Sequence, residues 1–139
     1  MEFRDILAIS GQPGLYRYIA RSTNGVIVEA LVDGKRTNSS GTAKISALAE
    51  IAIYTETEEL PLWQVFEKFY AYTGGKPTID VKSDAELLKK TFGDVIPDYD
   101  RERVHVSDMK KVVSWFNILV NAGMTDFRID KSEDKKDEE

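Results

Sequence analysis

The stretch LYRYIARSTNGVIVEALVDGKRTN, residues 15–38, decides the fold of this chain. It contains two runs that are rich in β-branched and aromatic residues, 15–20 and 26–32, and Asn24-Gly25 lies between them. Asn-Gly supplies the positive φ angles of a type I′ turn, so the pattern predicts a β-hairpin. Asp33-Gly34 predicts a second tight turn, which leads into a third predicted strand over residues 35–38.

Further short strands are predicted after this hairpin. Residues 44–46 and 50–55 have the same β character, and the tripeptide 47–49 between them suits a single 3₁₀ turn. Upstream, Pro13 and Gly14 fit the central positions of a type II turn that leads the chain into the first hairpin. Short strands with tight turns, the last two meeting through a 3₁₀ turn, predict a small SH3-like β barrel over residues 1–59.

The periodicity of the sequence changes from that of strands to that of helices after Leu60. Pro61 can occupy the first position of a helix, where its missing N–H costs nothing, and Gly74 marks the end of that helix. Apolar side chains between them recur at helical spacing. The second half of the chain is therefore predicted to be helical.

Two more helices complete the predicted fold. Ser83 and Glu86 form a capping box that opens a short helix, which stops at Gly93. The next helix begins near Ser107, keeps its apolar residues on one face and closes at Gly123. We therefore predict an α+β fold, in which the SH3-like barrel packs against a three-helix lobe over residues 60–127.

Composition excludes several classes of protein. The chain of 139 residues has no cysteine, which excludes disulfides, a thiolate nucleophile and a cysteine-ligated zinc site. It contains no apolar run of the roughly 18 residues that a membrane-spanning helix needs. The N-terminal residues lack the basic start and long apolar stretch of a signal peptide, so we expect a cytoplasmic protein with no membrane partner.

The net charge of −5 is spread along the whole chain. Residues 1–60 hold 6 basic and 8 acidic side chains, residues 61–127 hold 9 and 10, and residues 128–139 hold 4 and 6. Neither half has the excess of basic side chains that binds phosphate backbones, so the acidic charge disfavours nucleic acid as a partner. Residues 128–139 contain almost no apolar side chains to bury, so we predict that they form a disordered charged tail.

No residue pattern points to an enzyme, a cofactor or a metal site. His105 is the only histidine, and its neighbour Asp108 in sequence does not by itself bring a base and a carboxylate together, so we interpret His105 as structural or exposed. The acidic residues around Pro97 lack the glycine and the final glutamate of a calcium loop. Gly75-Lys76 follows a helix and precedes a proline, the wrong order for a phosphate loop.

The first strands carry a candidate binding surface of aromatic and basic side chains. Its members are Tyr16, Arg17, Tyr18, Arg21, Lys35 and Arg36. Tyr16 and Tyr18 share one face of a strand, and an exposed tyrosine face could stack on bases beside the basic residues. In the simpler interpretation, one tyrosine packs into the barrel and the arginines are solvated.

Trp63 and Trp115 are two further candidates for binding. Each lies one position off the main apolar face of its helix, and we expect at least one of them at the interface between barrel and helices. A tryptophan that is exposed instead would anchor a partner, because tryptophan is enriched at binding hot spots.

Four segments of the chain resemble a known family. DILAISGQPGLYRYI (residues 5–19), GVIVEALVDGKR (25–36) and KISALAEIAIYTE (44–56) resemble the N-terminal region of a family of small uncharacterised proteins from the Bacteroidota. PLWQVFEKF (61–69) resembles the helical region that accompanies it. The family is defined as a domain of unknown function, so the resemblance implies one two-part unit in a bacterial cytoplasm and no particular activity.

These observations favour a non-enzymatic binding or adaptor module that recognises a protein or peptide. The alternative is a nucleic-acid-binding protein that uses the aromatic and basic strands of the barrel. An enzyme would require His105 and nearby acids to converge. We expect the partner to be another protein or a second copy of the chain.

Overall fold

The computed structural model describes residues 2–11, 14–40, 44–78 and 84–128. In these ranges the chain forms a five-stranded antiparallel sheet, a two-stranded sheet and three helices, which confirms the predicted α+β class. The strands are β1 (Ile6–Ile9), β2 (Tyr16–Ser22), β3 (Gly25–Ala30), β4 (Arg36–Ser40), β5 (Ile45–Ala47), β6 (Ala52–Tyr54) and β7 (Glu59–Pro61). The helices are α1 (Leu62–Thr73), α2 (Ala85–Val95) and α3 (Val106–Asn121). Of the predicted tail, only Arg128 lies inside the described residues.

The larger sheet has the strand order β4-β3-β2-β1-β5. Strand β1, which sequence analysis did not predict, lies between β2 and β5 and pairs with both. It was missed because a run of only four apolar residues becomes a strand through its neighbours in the sheet. In the described ranges β4 and β5 are the two edges of an open sheet, so the predicted closed barrel is not detected there.

The 3₁₀ turn between the last two predicted strands is present at Leu48–Glu50. The strand that follows it does not join the larger sheet, because β6 pairs with β7 instead. Strand β7 is another element that the sequence did not reveal. Its last residue, Pro61, is also the N-cap of α1, so the helix begins one residue later than predicted.

The first hairpin is confirmed, but its turn differs from the predicted one. Ser22 pairs with Gly25, so Thr23 and Asn24 form the two-residue loop. No described residue other than glycine has a positive φ, and Gly25 is not among the glycines that do, so the predicted type I′ turn at Asn24-Gly25 is wrong. At the second turn Gly34 has a φ of 73°, which confirms the turn at Asp33-Gly34.

The helix ends are set by caps that only partly follow the prediction. Gly74 ends α1 with a left-handed φ of 69°, as expected. The N-cap of α2 is Asp84, whose carboxylate accepts the Leu87 N–H at 2.8 Å, whereas the predicted cap Ser83 lies outside the described residues. The helix also continues past Gly93, where an added Cβ would stand 3.7 Å from the Tyr99 ring. An added Cβ would make only an ordinary contact there, and Gly93 is not a stop signal.

One hydrophobic core joins the sheet to the helices. Phe3, in the 3₁₀ turn before β1, contacts Phe66 of α1 edge to face, with ring centroids 5.6 Å apart. Phe127 stands 6.3 Å from Phe3 and from Phe116 of α3. All four rings are fully buried or nearly so. The two predicted parts, 1–59 and 60–127, thus share a core, and the boundary between them stays a prediction.

Because the core is shared, we expect loss of the Phe3 ring to destabilise both parts together. Phe3→Ala should lower the free energy of unfolding by about 3–5 kcal/mol, the usual cost of deleting a buried phenylalanine side chain. The control is Tyr72→Ala, since Tyr72 is 52% exposed and should matter little. Urea unfolding followed by tryptophan fluorescence and by far-UV circular dichroism should give coincident transitions. Transitions that separate in the wild type would contradict the shared core.

The cap of α2 gives a second prediction. Asp84→Ala should lower the free energy of unfolding by about 1 kcal/mol, because the Leu87 N–H loses its acceptor at the start of the helix. Lys89→Ala, on the exposed face of the same helix, is the control. Thermal unfolding of both variants measures the difference, and equal midpoints would show that Asp84 does not cap α2.

Candidate functional site

A cleft of about 610 Å³ lies between the larger sheet and helix α3. The end of β1 and the loop after it form one wall, through residues that include Ala8, Ser10 and Gly11. Helix α3 forms the other wall. The volume of the cleft falls within the range of about 300–1,000 Å³ that is usual for ligand-binding clefts.

A smaller cleft of about 240 Å³ continues the first one along β6. The two clefts share Ile51, Lys111 and Trp115, so they form one continuous depression. All three residues of β6 and the first turns of α3 line the smaller cleft. We call the two clefts together the α3 groove.

The α3 groove is basic although the protein is acidic. Lys110 and Lys111 are exposed and form no ion pair in the part of the chain that the structure describes. Arg103 contributes a third cation, which stands 5.0 Å from the centroid of the Tyr54 ring and 3.6 Å from the carboxylate of Asp100. Uncompensated lysines in a concave site favour an anionic ligand.

The acidic residue that lines the groove is already engaged. The Asp108 carboxylate accepts the backbone N–H of His105 at 3.0 Å and so caps the first turn of α3. This bond orients the Asp108 side chain toward the start of the helix. The carboxylate keeps its negative charge, and Arg103 is paired with Asp100, so the excess positive charge of the groove comes from Lys110 and Lys111.

Trp115 joins the two clefts. It lies next to Phe116, whose ring is fully buried, and is itself partly buried against the core. This is the position expected for a tryptophan one place off the apolar face of its helix. Trp63 is also partly buried against the core, but it does not line either cleft of the groove.

The candidate surface on the first strands is interrupted by an acid. Glu29 pairs with Arg17 on β2 and with Arg36 on β4 in the register of the sheet. Its carboxylate lies 2.5 Å from Arg17 Nη2 and 3.8 Å from Arg36 Nε. Tyr18 is 43% exposed and Tyr16 is partly buried. Arg21 and Lys35 are exposed. The structure thus keeps these residues on one sheet but places Glu29 in the middle of the positive strip.

His105 and the acids near Pro97 have local structural contacts. His105 is exposed and precedes α3 as its N-cap. Asp100 accepts the backbone N–H of Glu102 at 2.9 Å and so fixes the turn before α3. Within the described ranges, no group of three or more histidine and acidic side chains is placed to hold a metal ion.

Sequence analysis did not single out the two lysines of the groove. Lys111 and Trp115 are four residues apart and therefore lie on the same side of α3. That spacing was visible in the sequence. The opposite wall was not, because it comes from β1 and from residues 51–54, which are remote along the chain.

Two domains of unknown function match most of the chain. Residues 3–48 match the model of a domain of unknown function, DUF5606, and residues 51–119 match that of a second, DUF6852. A solution NMR structure of a protein from Bacteroides vulgatus, solved by a structural genomics consortium, is 42% identical, covers 90% of each chain and superimposes with a TM-score of 0.76. These matches confirm the predicted resemblance. No curated protein matches the chain. None of the described helices has the length and apolar character to span a bilayer.

The pairing of Glu29 gives a prediction about nucleic acid. Glu29→Gln should strengthen binding to a fluorescent single-stranded oligonucleotide at low salt, because Arg17 and Arg36 lose the carboxylate between them. Fluorescence anisotropy measures the affinity, and moderate salt should abolish the gain. Glu50→Gln is the control with the same charge change. Equal binding by both variants would show that Glu29 does not interrupt a phosphate-binding strip.

Proposed function

The chain belongs to the family of two-part proteins described by these two domains of unknown function, and on that premise we propose that it is a non-enzymatic module that binds a segment of a partner protein in the α3 groove. The observation that carries the proposal is the continuity of the two clefts through Ile51, Lys111 and Trp115. A continuous depression suits an extended chain better than it suits a compact metabolite.

The side chains in the groove support a binding role. The partly buried side chain of Trp115 offers a large flat surface at low entropic cost. Tryptophan residues supply much of the binding energy at many interfaces. Lys110 and Lys111 add charge that selects among segments. His105, the residue most suited to acid–base chemistry near neutral pH, is not among those that line the groove.

Other partners have less support. The nucleic-acid alternative requires a continuous positive strip on β2, β3 and β4, and Glu29 interrupts it. Self-association through the same groove is a further alternative that the experiments below separate from binding of a different protein. We place the activity in the cytoplasm, an expectation that rests on the sequence alone.

Selection from a display library of random 12-residue peptides tests the proposal. Wild-type protein should enrich peptides whose affinity falls at least tenfold for Lys111→Glu and for Trp115→Ala, because both residues line both clefts. Lys68→Glu is the matched control, since it reverses the charge of an exposed lysine on α1. Isothermal titration calorimetry with the selected peptides gives the affinities.

Two outcomes would contradict the proposed function. One is that no peptide is enriched over an unrelated acidic protein. The other is that enriched peptides bind all three variants as tightly as the wild type, although each variant unfolds at the wild-type temperature.

A further inference from the structure

The small sheet of β6 and β7 presents an open edge to the groove. On its inner side, Ile51 C=O accepts the Leu62 N–H at 2.9 Å, and Thr55 N–H donates to Glu58 C=O at 2.8 Å. Hydrogen bonds alternate along an antiparallel pair, so residues 51, 53 and 55 bond toward the β7 side. The backbone groups of Ala52 and Tyr54 therefore point to the outer edge of β6.

Part of that outer edge is already paired. Asp100 N–H donates to Tyr54 C=O at 3.0 Å, and Glu56 N–H donates to Asp98 C=O at 2.9 Å. The chain then turns away, because Asp100 C=O accepts the Val104 N–H at 2.9 Å. A strand that pairs with the rest of the edge must therefore stop at Tyr54.

Three backbone groups of the edge stay open. The N–H and C=O of Ala52 and the N–H of Tyr54 have no hydrogen-bond partner in the described part of the chain. Both residues line the smaller cleft, opposite α3. Strand edges of this kind recognise extended peptides through main-chain hydrogen bonds.

We propose that an acidic, extended segment of a partner protein adds to the open edge of β6 as a short strand, an inference that rests on the function proposed above. The backbone groups of Ala52 and Tyr54 hold its main chain. The cations that line the groove select its acidic side chains. Neither feature requires chemistry in the partner beyond an extended conformation and negative charge.

The charge of the groove differs between its two ends. Lys110 and Lys111 lie at the larger cleft, whereas the loop beyond Tyr54 carries Glu56 and Glu58, both exposed. Acidic side chains are attracted to the first region and repelled from the second. The acidic side chains of the segment that lie toward Lys110 and Lys111 therefore contribute most to its affinity.

The probe is the synthetic peptide EVEVEVE with blocked ends, which carries acids on one face of a strand and β-branched residues on the other. Two N-methylated versions are compared with it, one modified at the glutamate amides and one at the valine amides. A strand pairs with β6 through one of its edges only. One version should therefore lose at least tenfold in affinity while the other binds within about threefold of the parent.

Amide hydrogen exchange of the labelled protein reports the hydrogen bonds directly. The parent peptide should slow exchange at Ala52 and Tyr54 at least tenfold, with no comparable change at β4, the remote edge of the larger sheet. Lys111→Glu should weaken binding at least tenfold, Lys111→Arg should restore it, and Lys68→Glu should have no effect. KVKVKVK should not bind.

The outcomes distinguish this inference from the proposed function. If library peptides bind in the groove but EVEVEVE does not, or if both N-methylated versions bind equally and Ala52 and Tyr54 stay unprotected, strand addition by an acidic segment is wrong while groove binding stands. If neither the library nor EVEVEVE yields a groove ligand, both are wrong. Self-association in sedimentation that Lys111→Glu abolishes would identify a second copy as the occupant and overturn the acidic partner.

Discussion

The edge-to-face contact between Phe3 and Phe66 is the constraint on which the rest of the structure depends. Phe3 opens the 3₁₀ turn that immediately precedes β1, and the ring centroids of Phe66 and of Phe116 on α3 are 6.1 Å apart. The same buried rings therefore fix the position of β1 and that of α3. Because these two elements form the walls of the larger cleft, the width of the groove is set by the core and not by its own lining.

The same rings fix the position of Trp115, the anchor in the proposed function. Its neighbour Phe116 is held by three aromatic partners, Phe66, Phe69 and Phe127. The backbone that carries the tryptophan is therefore rigid, and a ligand does not have to order it. A preorganised anchor of this kind lowers the entropic cost of association.

The parts of the fold that could be predicted from the sequence are those that depend on neighbouring residues. The hairpins of residues 15–38 were located by their turn residues, although the type of the first turn was wrong, and α1 and α3 follow from apolar periodicity. Strands β1 and β7 could not be found in this way, because three or four residues become a strand through partners elsewhere in the chain. The turn at Thr23 and Asn24 was misplaced by one residue, and the bulge after Tyr18 was not predicted either.

The candidate site could likewise be predicted only where it depends on neighbouring residues. Trp115 was recognisable because it departs from the apolar face of its own helix. The groove was not, because it joins β1, residues 51–54 and α3, and no local pattern brings them together. The pairing of Glu29 with Arg17 and Arg36 likewise requires the register of three strands.

Pro61, which ends β7 and is the N-cap of α1, affects how many segments the small sheet accepts in the proposed complex. It stands opposite Ala52 in a pair without hydrogen bonds, so its nitrogen faces the outer edge of β7 and has no hydrogen to donate there. The outer edge of β7 therefore lacks a donor at this position, whereas the open edge of β6 keeps the N–H groups of Ala52 and Tyr54 and faces α3 across the groove. In the proposed complex the added strand has α3 on its far side, so growth beyond β6 stops at one segment.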